Sequence, residues 1–141
     1  MESRIRSIKF VLDWVFSVGC IVLGDDGSVY VSGSTNSSDY PLATNNSSST
    51  DAVITKINAN TGTLIYSTYI GGGGFDHIET IAYRNNRVVV AGITESLDFP
   101  LNEEIQDTLK GVGDGFVTVY NETTGQLDFS TYVGGDNYDE V

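Results

Sequence analysis

Several residue types are scarce in this 141-residue chain, and each scarcity excludes a class of structure or site. One cysteine, Cys20, excludes a disulfide within the chain, and one cysteine with one distant histidine, His77, cannot build a zinc site. Only 7 basic residues stand against 19 acidic ones, and the net charge of −12 disfavours nucleic acids and anionic membrane surfaces as partners. No segment reaches the roughly 18 apolar residues that span a bilayer.

What the chain does contain is typical of a β protein. It has 16 glycines, 8 tyrosines and 6 phenylalanines, and 40% of its residues are hydrophobic. That content is enough for a core without disulfides or a structural metal. No long stretch of strong helix formers occurs, so we expect an all-β fold with tight turns.

The chain also repeats itself, which is its strongest sequence signal. Three pairs of segments match: Gly33–Pro41 with Gly92–Pro100, Asp51–Asn58 with Asp114–Asn121, and Tyr66–Gly72 with Phe129–Gly135. The offset is 59 residues for the first pair and 63 for the other two. The offset changes between Pro41 and Asp51 of the first copy, because the corresponding segment of the second copy, from Pro100 to Asp114, has four more residues. Insertions of this kind belong in loops, which supports the alignment.

Each copy contains four strand-like runs, which in the second copy are roughly Glu79–Tyr83, Arg87–Thr94, Gly115–Asn121 and Leu127–Val133. Four antiparallel strands in a unit of about 60 residues indicate a β-propeller blade. Apolar residues stand on both sides of one strand, with Phe116 and Tyr120 on one face and Val117 and Val119 on the other. A sheet buried between two neighbours needs that pattern. We therefore predict propeller-like blades of four-stranded antiparallel sheets, about two complete ones plus partial flanking copies.

The repeat also divides the chain. Residues 1–16 are predicted to be the last strand of a preceding, degenerate blade with its crossover, residues 17–75 the first blade, residues 76–138 the second, and residues 139–141 the start of a third copy. The N-terminus loosely imitates a signal peptide that ends at Cys20, but Asp13 interrupts its apolar region. The offset of 59 instead aligns Ile8–Val11 with the strand Ser67–Ile70.

These units resemble the SBBP-type β-propeller repeat of bacterial and archaeal secreted or cell-surface proteins. The resemblance rests on four pieces: DGSVYVSGST at Asp26–Thr35, the DYP and DFP triplets at Asp39–Pro41 and Asp98–Pro100, DAVITKIN at Asp51–Asn58, and YSTYIGG at Tyr66–Gly72. Membership would imply a propeller fold and an extracellular or cell-surface location. It would imply no general catalytic activity.

One segment carries a metal-binding motif. Gly71–Glu79 matches the fixed positions of the calcium nonapeptide G-G-x-G-x-D-x-U-x. Such nonapeptides share ions between adjacent copies, and here the next relative begins 63 residues later, so we favour a glycine-rich crossover between blades over a calcium roll. The remaining candidates for a Ca²⁺ ligand are two pairs of loop acids, Asp76 with Glu79 and Asp136 with Asp139. No other cofactor is expected.

No catalytic constellation is evident. The chain contains no G-x-S-x-G nucleophile elbow, and none of its many carboxylates is marked by an apolar setting. We predict a non-enzymatic extracellular or cell-surface module that acts in structural display, adhesion or binding of a protein or glycan. It would associate with neighbouring blades of a longer chain or with itself. The alternative is a fragment of a secreted hydrolase or lyase whose active site lies outside this segment.

Overall fold

The computed structural model of the chain describes residues 17–43 and 49–141. This part of the chain contains eight strands and no helix, so the all-β prediction is confirmed. The strands are β1 (Ser17–Leu23), β2 (Ser28–Thr35), β3 (Asp51–Asn58), β4 (Leu64–Ile70), β5 (Asp76–Arg84), β6 (Arg87–Thr94), β7 (Asp114–Asn121) and β8 (Gln126–Val133). The strand predicted within residues 1–16 lies outside the described residues.

The eight strands form two four-stranded antiparallel sheets, as predicted. The first sheet has the order β1-β2-β3-β4 and the second the order β5-β6-β7-β8. Within each sheet every strand pairs with its neighbour in sequence, so short hairpins suffice except between β2 and β3 and between β6 and β7. Those two connections are the Ser/Thr/Asn-rich loop of the first copy and its longer counterpart in the second.

The first hairpin of each sheet turns with a different sequence but by the same physical means. In the first sheet Gly27 has a φ of 77°, and the Ser28 amide donates to Asp26 Oδ1 at 3.0 Å. In the second sheet Asn85 and Asn86 have φ values of 50° and 60°. Asparagine tolerates this left-handed region better than other residues with a side chain, so the turn closes without an Asp-Gly pair.

The two sheets are equivalent in detail. In the first, the Tyr69 hydroxyl donates to the Ser37 carbonyl at 2.7 Å, and in the second Tyr132 donates to the Ser96 carbonyl at 2.6 Å. Both sheets also have a register shift between their first two strands and another between their last two. The repeated sequence therefore folds into a repeated structure, with the insertion confined to a loop.

Each sheet has two faces, because side chains alternate along a strand. The front face carries Tyr30, Ile54, Lys56, Tyr66 and Ile70 in the first sheet, and Val89, Val117, Val119, Phe129 and Val133 at the same register positions in the second. The back face carries Val31, Val53 and Ile57 in the first sheet, and Val90, Phe116 and Tyr120 in the second.

The front face of the first sheet packs against the back face of the second. Strand β5 contacts β1, β2 and β3, and one hydrophobic core contains residues of both sheets, among them Ile54, Val90 and Phe116. Tyr30 stacks on Tyr83 across this boundary with ring centroids 4.8 Å apart. The main core of the protein therefore lies between the sheets.

The outer edge of the second sheet is closed by the longer loop. Asn102 and Ser130 exchange two backbone hydrogen bonds of 3.1 and 2.8 Å, so this loop pairs with β8 on the side away from β7. An unpaired edge strand is a template for aggregation, and the loop protects the part of β8 with which it pairs.

We expect Phe116→Ala to destabilise the fold by about 3–5 kcal/mol, because the ring is fully buried and lies 4.6 Å from the Phe99 ring, so its removal leaves a cavity. Urea unfolding measures this loss. Val112→Ala is the matched control, since Val112 is 77% exposed, and it should change stability by less than about 0.5 kcal/mol. Equal effects of the two variants would contradict the placement of the core.

Candidate functional site

Asp76, the first of the predicted calcium ligands, is buried and engaged in hydrogen bonds. It begins β5 and is 0% exposed. Its Oδ1 accepts from the Thr94 hydroxyl at 2.5 Å, and its Oδ2 accepts from the Ser96 hydroxyl at 2.8 Å and the Gly72 amide at 2.9 Å. The carboxylate thus ties the glycine-rich crossover to the end of β6.

Asp139 occupies the same position one repeat later. Its Oδ2 accepts from the Gly135 amide at 2.7 Å, as Asp76 does from Gly72. Its own amide donates to the Gly113 carbonyl at 2.9 Å, and the Asp76 amide donates to the Thr50 carbonyl over the same distance. The segment that starts at Asp139 therefore begins as β5 begins.

The other two predicted ligands are exposed. Glu79 is exposed, and its Oε1 lies 3.2 Å from Nε2 of His77. Asp136 is exposed in the loop after β8. Among the described residues, no three histidine, cysteine, aspartate or glutamate side chains are grouped so that they could hold a metal ion. Calcium binding stays a prediction.

Burial is the main cause of the raised pKa of Asp76. Loss of water and, to a smaller extent, the nearby Asp51 carboxylate raise the pKa of its carboxyl from 3.8 to about 6, against the opposing effect of the three hydrogen bonds. Asp51 and Asp114 are buried as well, so each sheet carries an acidic residue at the start of its third strand.

A second polar group, which we call the Lys56 cluster, lies at the other end of the boundary between the sheets. It consists of Asp26, Tyr30, Lys56, Tyr66 and Glu122. The Lys56 ammonium lies 3.1 Å from carboxylate oxygens of both Asp26 and Glu122, and 5.2 Å from the ring centroid of Tyr30. The Tyr30 hydroxyl donates to Glu122 Oε2 at 2.7 Å. Glu122 is therefore held by two residues of the first sheet.

The surroundings of this cluster shift its acid–base properties. Burial lowers the pKa of Lys56, but its hydrogen bonds to Asp26 and Glu122 outweigh burial and raise it, so the lysine stays charged. Burial and the Glu122 carboxylate raise the pKa of Tyr30 and Tyr66 far above its usual value, so both phenols stay neutral. A crevice of about 310 Å³ opens beside Lys56, Tyr66 and Glu122.

Sequence reasoning did not single out the Lys56 cluster, although the repeat contains the signal for it. Lys56 aligns with Val119, and Glu122 aligns with Ala59. At both positions one copy has a charged residue and the other an apolar one. Such a pair of differences marks a contact that the described residues make at one boundary and not within each unit.

The front face of the second sheet is apolar, and no other described sheet packs against it. Ile54 and Ile70 of the first sheet are 0% and 2% exposed, whereas their equivalents Val117 and Val133 are half-buried and 42% exposed. Val141 reaches this face, where it lies over Gly115. A continuous apolar sheet face is typical of an interaction surface.

A scan against protein-family models found no match for this chain, and a search of curated proteins found none either. The described strands and loops include no helix that is long and apolar enough to cross a membrane.

We expect wild-type stability to fall as pH rises from about 4 to about 6.5, relative to Asp76→Asn. In this range the folded carboxyl, with a pKa of about 6, holds a proton that the unfolded one, near 3.8, has released. The difference should reach about 3 kcal/mol, as a shift of two pH units implies. Urea unfolding at several pH values measures it. Asp136→Asn is the exposed control, and parallel curves for wild type and Asp76→Asn would contradict the shift.

We expect calcium to leave Asp76 unoccupied, because hydrogen-bond donors already surround both of its carboxylate oxygens. A thermal melt over a calcium titration tests this. A rise in the midpoint that Asp76→Asn abolishes would place an ion at Asp76, and a rise abolished only by Asp139→Asn would place it in the last loop. An unchanged midpoint would reject a structural ion.

Proposed function

We propose that this chain is a structural and interaction module of the β-propeller type, related to the SBBP repeat and displayed at the cell surface or secreted. It acts by stacking four-stranded sheets and presenting their loops to a protein or glycan partner, and it carries out no catalysis. The observation that carries the proposal is the packing of one repeat unit on the next, front face to back face, between equivalent sheets.

The end of the chain supports continuation of the stack. The Asp139 amide makes the backbone hydrogen bond that starts β5 one repeat earlier, and Val141 then lies over Gly115 of the front face. Its equivalent one repeat earlier, Ile78, is 0% exposed in the core between the sheets, whereas Val141 is 47% exposed. A further unit that begins at Asp139 would cover the front face of the second sheet.

The polar interior supports a structural role. The Thr55 and Ser67 hydroxyls bond to each other at 3.1 Å, and Thr118 and Ser130 do so at 2.8 Å in the second sheet. Asp76 accepts from the Gly72 amide and from two hydroxyls at the end of β6. These groups satisfy one another inside the sheets, where a substrate would not reach them.

The loop between β6 and β7 supports a role in binding a partner. Leu97, Ile105 and Val112 lie on it with exposed fractions of 84%, 87% and 77%. Large exposed apolar side chains on a loop that connects two strands of a rigid sheet are typical of protein-recognition sites. The net charge of −12 favours a partner other than nucleic acid.

The stack is tested by adding a third unit in the same chain. Val141 is equivalent to Gly19, so residues 20–75 appended after Val141 should continue the repeat in register. Nearest-neighbour packing then predicts one cooperative thermal transition at a higher midpoint than that of the 141-residue chain. A flexible Gly/Ser segment of equal length is the control. An unchanged midpoint, or a separate second transition, would reject the proposal.

A further inference from the structure

We propose that the outer edge of β4 binds an extended, glutamine-containing segment of a partner protein. The proposal rests on the proposed function and deepens it, because it names the site and the chemistry by which the module would hold a protein partner. The second unit supports it, because there the equivalent edge has such a segment bound to it.

In the second unit, residues 105 and 106 of the long loop bind the outer edge of β8. The Thr131 hydroxyl accepts from the Ile105 amide at 3.0 Å and from the Gln106 amide at 2.9 Å. The Tyr132 amide donates to the Gln106 carbonyl at 3.4 Å, and the Gly134 amide donates to Gln106 Oε1 at 3.0 Å. This edge thus recognises both the main chain and the carboxamide of a glutamine.

The first unit has the same groups at the edge of β4. Thr68, Tyr69 and Gly71 occupy the positions of the threonine, tyrosine and glycine that bind the loop in the second unit. The Thr68 hydroxyl donates to the Tyr69 carbonyl at 3.3 Å. In the second unit the Thr131 hydroxyl donates to the carbonyl of the next residue in the same way, at 3.0 Å. Both hydroxyls therefore have the same orientation, and the one in β4 can accept the amides of a bound segment.

The edge of β4 is open where the edge of β8 is covered. Beneath the loop, Thr131 and Tyr132 are 2% and 1% exposed. Their equivalents Thr68 and Tyr69 are half-buried. No described residue donates to the Thr68 hydroxyl or accepts from the Gly71 amide. The first unit's loop is four residues shorter than the one that covers β8.

A groove of about 280 Å³ lies beside this edge. It is lined by residues 68–71 of the first unit and by residues of the second unit, among them Pro100, Tyr120 and Leu127. A peptide that adds to a sheet edge gains affinity from main-chain hydrogen bonds and specificity from pockets for its side chains. The groove supplies such a pocket, with an apolar and aromatic lining.

Two buried carboxylates select a neutral side chain at the Gly71 amide. A side-chain carbon built on Gly71 would lie 2.9 Å from Asp51 Oδ1 and within van der Waals distance of Asp76 Oδ2. In the second unit the Gln106 carboxamide also donates to Asp114, which occupies the position of Asp51, at 2.7 Å. A glutamate would bring a third carboxylate to this place and has no N–H group to donate, so the site selects glutamine.

The occupant is a segment of another protein. In this chain the two residues that fit such an edge, Ile105 and Gln106, are already bound to β8. The net charge of −12 further favours a partner segment that is neutral or basic.

A fluorescein-labelled peptide tests the site. The probe copies residues 101–108, with its three acidic residues replaced by serine and its C-terminus amidated, so that repulsion between like charges does not oppose binding. We expect saturable binding in fluorescence anisotropy. In ¹H–¹⁵N correlation spectra the Tyr69 and Gly71 amides should shift, because they become hydrogen-bond donors to the probe.

Thr68→Val removes the hydroxyl that would accept two amides of the probe, and it should weaken binding at least about tenfold. Thr80→Val, at an exposed position of β5, is the matched control and should bind the probe like wild type. A probe with glutamate in place of its glutamine should also bind at least about tenfold more weakly. Circular dichroism and thermal melts establish that both variants are folded.

Absence of saturable binding up to about 1 mM probe would overturn the proposal. Equal binding by wild type and Thr68→Val, equal binding of the two probes, or shifts confined to the amides of residues 131–134 would do the same. A wild type that self-associates, and loses this association in Thr68→Val, would assign the edge to a second copy and overturn the assignment to another protein. If the three-unit chain melts cooperatively while no probe binds, the stacking module stands and only the peptide site is rejected.

Discussion

The structure depends on one constraint, which is that each four-stranded sheet is apolar on both faces and cannot bury both by itself. The first sheet hides its front face against the back face of the second, and this single contact supplies the main core. Sheets of this kind are stable in a stack, where each unit covers the next. The front face of the second sheet, with Val133 42% exposed, shows what an uncovered face looks like in the same molecule.

Polar groups at the two ends of this contact decide how the sheets align. At one end Asp76 collects the Gly72 amide and two hydroxyls of the second sheet, which sets the path of the crossover. At the other end Glu122 joins Lys56 and Tyr30 across the boundary. Apolar packing alone has little directional preference, whereas hydrogen bonds and ion pairs require particular partners, so these groups specify one alignment.

Sequence periodicity predicted the strands closely, and the difference at the start of β5 comes from a contact between the two units. We predicted the first strand of the second unit over Glu79–Tyr83, but it begins at Asp76, whose amide bonds to the Thr50 carbonyl of the first unit. That bond joins two units and has no signal in the strand's own residues. The nonapeptide at Gly71–Glu79 is a case in which a sequence signal was present. Its pattern is typical of calcium sites, but three hydrogen-bond donors already contact the carboxylate of its aspartate, Asp76.

The amino-acid pattern was sufficient to predict that the chain is all-β, that it repeats a four-stranded unit, and that the second unit has the longer loop. These properties follow from patterns of apolar residues and turns along the chain and from the alignment of its two copies, and neither requires knowledge of tertiary contacts. Only the tertiary structure decided which face meets which, and that Glu122 and Tyr30, 92 positions apart, form one cluster. Packing between sheets brings together residues distant in the chain, and neither sheet's own periodicity encodes its partner.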